Sequence, residues 1–153
     1  MNRFQIVPPA AMRRIALCAL ALSALSTLAS ADELKFRLSG AMEVPPVTTI
    51  ATGNADITVN KDMTVSGHIA TSGISGTMAH IHRGKAGSNG PVIVTLTKSG
   101  DDGWMVPTGT KLDEADFKAF MADGLYVNVH SAENKGGEIR GQLMPSMPMM
   151  NSQ

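Results

Sequence analysis

Leu34, Phe36 and Leu38 alternate with Lys35, Arg37 and Ser39. An apolar–polar period of two predicts a half-buried strand. The segment GAMEVPP, Gly40 to Pro46, ends it, because Pro45 and Pro46 have no N–H to give a central ladder. Ala55, Ile57 and Val59 restart the alternation. Asn60-Lys61-Asp62 predicts a turn, and Met63, Val65, Gly67 and Ile69 resume the pattern. Residues 54–70 therefore read as a hairpin. Met78–Arg83 and the β-branched run Val92–Thr97 are further strands, separated by a loop punctuated by Gly84, Gly87 and Gly90-Pro91. Gly100–Gly109, with the single Trp104, reads as a loop. Leu125–His130 and Gly137–Leu143 close the set as two strands joined by Ser131–Gly136.

One segment changes period. Phe117, Phe120 and Met121 recur at helical spacing, Asp113 stands at an N-cap position, and Asp116 adds a favourable charge to the first turn. The pattern predicts a helix over 113–122, stopped by Gly124. Short strands at close spacing around one helix predict an all-β fold. The expected form is a Greek-key-like β-sandwich or barrel of about seven to eight strands, with the short helix in a crossover.

The 153 residues suffice for one domain. Lys+Arg and Asp+Glu are equal at 13 each, but Arg3, Arg13 and Arg14 all precede the first acid, Asp32. The chain from Asp32 onward thus carries about −3, which argues against a nucleic-acid partner. Arg13-Arg14, the 14 apolar or small residues Ile15–Leu28, and Ala29-Ser30-Ala31 form the pattern of a cleaved signal peptide. The apolar run is shorter than the roughly 20 residues of a membrane span. The expectation is a signal peptide over 1–31, a domain over 32–144 and a Met-rich tail over 145–153. The mature protein then begins near Asp32, exported to the periplasm or secreted, with no membrane span after cleavage. The single cysteine, Cys18, falls in the leader, so the mature chain has no disulfide, cysteine zinc site or thiol nucleophile.

The first candidate chemistry is His80-Ile81-His82. Residues i and i+2 of a strand share a face, so the two imidazoles form a natural ligand pair. In LYVNVH, Leu125, Val127 and Val129 take one face, and Tyr126, Asn128 and His130 the other. In GEIRGQL, Glu138, Arg140 and Gln142 oppose Ile139 and Leu143. If the apolar faces meet in the core, His80, His82 and His130 gather with Asn128, Glu138 and Arg140 as supporting neighbours. Three imidazoles suit copper or, as the second choice, zinc. The same histidines also suit a structural role, since imidazole donates and accepts at once and can anchor a Gly-rich loop. His68 reads as a solvated or edge residue. The second candidate is the tail, where Met144, Met147, Met149 and Met150 offer thioethers, soft ligands that select Cu(I). Glu43 reads as a loop acid. No G-x-S-x-G elbow or P-loop pattern is present, so hydrolase and nucleotide chemistry have no support.

Taken in order, EVPP (Glu43–Pro46), AHIHRG (Ala79–Gly84) with NGP (Asn89–Pro91), YVNVHS (Tyr126–Ser131) and GEIRGQL (Gly137–Leu143) resemble the CHRD domain. That family is named for the repeated domain of chordin, and the resemblance spans roughly residues 34–143. It implies an extracytoplasmic β-sandwich module for which no general enzymatic activity is established. The His-x-His strand is also similar to that of copper/zinc superoxide dismutases. With one cysteine and four histidines, however, no disulfide and no separate zinc subsite are expected. Two main functions follow, beside a third reading as a redox enzyme that uses bound copper. One is an exported copper-binding protein. The other is a non-enzymatic module that binds another extracytoplasmic protein or a polymer and uses its histidines structurally.

Overall fold

A computed structural model describes residues 31–145. The expected signal peptide with Cys18, apart from its last residue Ala31, and Met147, Met149 and Met150 of the tail lie outside these residues. The strands are β1 (Ala31–Ser39), β2 (Thr52–Asn60), β3 (Val65–Ser72), β4 (Gly76–Arg83), β5 (Val92–Thr95), β6 (Thr97–Ser99), β7 (Gly103–Met105), β8 (Leu125–Ser131) and β9 (Ile139–Leu143). Helix α1 (Glu114–Met121) lies between β7 and β8. No helix among the described residues is long and apolar enough to cross a membrane.

All nine strands belong to one sheet, in the order β5-β4-β8-β9-β1-β2-β3-β7-β6. Its two edges are consecutive pieces of one chain segment. β5 pairs with β4, β6 pairs with β7, and only Leu96 separates them. The Leu96 N–H donates to the Ala79 carbonyl at 2.9 Å, and its side chain is buried. The sheet therefore curls until its edges meet in a nearly closed barrel, which protects the backbone groups an open edge would expose. This split at Leu96 differs from the continuous strand expected over Val92–Thr97. The loop expected around Trp104 likewise holds β7, because the indole is buried in the barrel. These short pieces bring the strand count among the described residues to nine.

The period-two segments place their apolar residues inside. Leu34, Leu38, Ile57, Val65, Ile69, Ile81, Val127, Val129 and Ile139 are all buried in one cluster. The hairpin of β2 and β3 forms as expected, except that Met63, expected on the second strand, takes the left-handed region (φ 71°) in the turn and β3 begins at Val65. His68 is exposed on the outside of β3.

Helix α1 matches its expected bounds within a residue. The Asp113 carboxylate accepts from the Asp116 N–H at 2.6 Å. Two details differ. Met121 is 55% exposed, while Asp116 is buried and paired with Arg83 Nε at 2.8 Å, so the inward stripe sits one residue earlier. Asp123 takes the left-handed stop (φ 55°) expected of Gly124. Gly124 instead donates its N–H to the Ala119 carbonyl at 2.8 Å.

Candidate metal centre

β4 and β8 are antiparallel neighbours, and their register brings the histidines together. His80 lies opposite Asn128, His82 opposite Tyr126 and Met78 opposite His130. Ala79, Ile81, Val127 and Val129 take the core side. The period of two therefore sends His80, His82, Tyr126, Asn128 and His130 to the outer face. β9 extends the rows, with Arg140 beside Asn128 and Gln142 beside Tyr126.

Three segments cover this polar face: the chain after β1, the loop 84–91 and the loop 132–138. Every residue of β8 and β9 is buried as a result. Arg140 is the central fastener and is only 1% exposed. Its Nη2 donates to the carbonyls of Lys85 and Ser88, each at 3.0 Å. Its guanidinium lies 3.4 Å from the centre of the Tyr126 ring, which in turn stacks on His82. Gln142 Nε2 donates to the carbonyls of Gly84 (2.9 Å) and Asp123 (2.8 Å), and Asn89 Nδ2 donates to the Val44 carbonyl at 2.7 Å. Gly90 must be glycine, because a Cβ there would collide with the Arg83 carbonyl.

These loops set the imidazole tautomers. His82 Nδ1 lies 3.0 Å from the Gly90 carbonyl, and His130 Nδ1 lies 2.9 Å from the Lys135 carbonyl. A carbonyl only accepts, so both Nδ1 atoms carry the proton and both Nε2 atoms are bare. Holding one ring nitrogen on a backbone carbonyl is the usual support of a metal-ligating histidine. His82 Nε2 is buried without a hydrogen-bond partner. His130 Nε2 faces His80 Nδ1 at 2.9 Å, so His80 donates there. His80 is the half-buried member of the set. One nitrogen from each ring lies within 4.8 Å of the other two. Donors at 2.0–2.1 Å from a tetrahedral ion are ~3.4 Å apart, so a shift of about 1 Å closes the set. The three residues fit a transition metal.

Burial holds all three imidazoles below their usual pKa. For His80 the neighbouring His130 and His82 add to the effect. The neutral form, which is the ligand form, therefore persists below pH 6.5. The three supporting neighbours act differently. Asn128 lies beside His82 and favours its charged form, yet its Oδ1 has no hydrogen-bond partner. Glu138 accepts from Thr49 Oγ1 at 2.7 Å. Burial pushes its carboxyl up, but hydrogen bonds from Ser131, Thr49 and Asn134 outweigh this and hold it low. Arg140 acts through the loop that presents the Gly90 carbonyl.

Glu43 is no simple loop acid. It is 4% exposed, and its Oε1 is buried without a partner. Burial pushes its carboxyl up to about 7 against the pull of Arg140. Any side chain at Gly137 (φ 132°) would run into Glu43 and Asn128. The signal in the sequence was EVPP, but nothing in its local pattern marks the acid as buried.

The pH dependence follows from these shifts. The unfolded chain binds more protons at the histidines than the folded one. Their contribution is thus complete above about pH 6.5 and is lost as pH falls through the lower folded values. Glu43 has the opposite sign. Folded, it keeps its proton up to about pH 7, so it costs stability as pH rises from its unfolded value. Glu43→Gln is expected to stabilise the protein at pH 8 by on the order of 3 kcal/mol, with the gain vanishing near pH 4.5. Denaturant unfolding across pH checks this, and a gain independent of pH would contradict it.

A family model for the CHRD domain matches residues 34–143. Searches of curated proteins and of solved structures returned no match.

Proposed function

We propose that this chain, which belongs to the CHRD family, is an exported protein that binds copper through His80, His82 and His130. The observation that carries the reading is the gathering of three neutral imidazoles within 4.8 Å, two of them fixed on backbone carbonyls. Copper(II) stands above zinc in the affinity order for nitrogen ligands, which favours copper. A purely structural role explains the Nδ1 bonds of His82 and His130. It leaves His82 Nε2 buried with Asn128 beside it, a bare nitrogen of the kind a metal takes.

The Met-rich tail is a second, softer place for Cu(I). Met144 follows β9 at the end of the sheet near Leu125, away from His130. Met147, Met149 and Met150 continue the same segment. Deleting Met144–Gln153 is expected to lower the number of Cu(I) ions bound and leave Cu(II) binding unchanged.

The test is elemental analysis of untagged protein purified from the exported fraction. The expected result is about one copper per chain at neutral pH, and mass spectrometry of the same sample should place the N-terminus at or near Asp32. Protein without copper or zinc would overturn the metal reading. An intact 1–31 segment would overturn the export reading.

A further inference from the structure

We infer that the thioether of Met78 is a fourth ligand of this centre and gives it a preference for Cu(I) over zinc. The inference rests on the metal reading of His80, His82 and His130. Met78 precedes His80 by two residues on β4, so the two side chains share a face. Met78 is also the cross-strand partner of His130. Side chains directly opposite one another have Cβ atoms ~4.5–5.5 Å apart, a gap that a methionine spans. The Thr77 hydroxyl donates to the His130 carbonyl at 3.3 Å, which ties the two strands at this level.

The exposure runs in one direction along β4. His82 is buried beneath the Gly90 loop, His80 is half-buried, and Met78 is 48% exposed. Met78 therefore stands at the mouth of the centre and takes no part in the apolar core. Single exposed apolar side chains are common on proteins and need no explanation. Met78 differs by its register, beside two imidazoles that already face one another.

The donor chemistry gives the selectivity. A thioether carries no charge, needs no deprotonation and is a soft ligand suited to Cu(I). Zinc sites are built from thiolate, imidazole and carboxylate instead. Three imidazoles and one thioether thus hold copper in both oxidation states, and the thioether adds most to the reduced one.

The experiment compares the full chain with its Met78→Leu and His80→Ala/His82→Ala variants. Leucine keeps the size and apolar character of Met78 without the sulfur, and the position is exposed, so folding should be unaffected. Copper is loaded as Cu(II) and titrated with reductant. The Cu(II) paramagnetic resonance signal reports copper on the imidazoles and excludes copper held only by tail thioethers. Met78→Leu is expected to lose at least tenfold in Cu(I) affinity relative to Cu(II), a fall of about 59 mV in potential. Its Zn(II) affinity should stay within about twofold. An unchanged potential with copper still bound overturns Met78 as a ligand and leaves the three-histidine reading intact. A wild-type protein that shows no nitrogen-ligated Cu(II) signal overturns both.

Discussion

Replacing His80 and His82 together by alanine is expected to abolish stoichiometric Cu(II) binding while the barrel still folds. His130 alone then remains of the three nitrogens, and a single imidazole on a rigid strand cannot form a chelate. Folding should survive, because neither side chain belongs to the apolar core. The loss is two hydrogen bonds, from His82 to the Gly90 carbonyl and from His80 to His130 Nε2, and the stacking of His82 on Tyr126, together about 2–4 kcal/mol. Removal of the unpartnered His82 Nε2 offsets part of it. Calorimetric titration and thermal unfolding check both halves. Copper at a hundred times its dissociation constant should stabilise the wild type by about 2.7 kcal/mol, and the double variant not at all. If the double variant unfolds and the wild type gains no stability from metal, the histidines are structural.

Arg140→Met is expected to be the most damaging single change on the polar face, at about 2–4 kcal/mol. Arg140 is as buried as any core residue, yet it carries charge. Its removal leaves the Lys85 and Ser88 carbonyls without that donor and strips Glu43 of the guanidinium that draws its pKa down. The loop 84–91 then loses its fastener, and the Gly90 carbonyl no longer fixes the His82 tautomer. Copper affinity should fall about 10–100-fold as a consequence, the usual effect of losing support behind a ligand. Because Glu43 and Arg140 interact, Glu43→Gln should recover part of the stability when combined with Arg140→Met. Denaturant unfolding of the four proteins in this cycle measures it. A loss under about 1 kcal/mol would mean that water replaces the guanidinium and the network fastens nothing.

The barrel was largely legible because its strands alternate. Leu34-Phe36-Leu38 and Ala55-Ile57-Val59 announce both strand and inward face, and the helix declares itself by Asp113 and Phe117-Phe120. The convergence of the three histidines was legible for the same reason: the period of two fixes their face, and neighbouring strands bring them together. Burial of that face was not. Tyr126, Asn128 and His130 read as a polar outer surface, and only the loops from Lys85, Glu43 and Lys135 turn them into an interior. Such cover comes from residues distant in sequence and leaves no local period. Glu43 escaped notice on that account. Met121 misled in the opposite sense, since helical spacing cannot say which of two adjacent stripes meets the barrel. The split at Leu96 was hidden because a β-branched run reads alike whether it pairs with one strand or passes between two.

X-ray absorption spectroscopy of the full chain loaded with one equivalent of Cu(II) at pH 7 reads the donor set of the metal itself. Three imidazole nitrogens are expected at about 2.0 Å from copper, all lost together in the His80→Ala/His82→Ala variant. A shell of oxygen donors with one imidazole or none would contradict the three-histidine site.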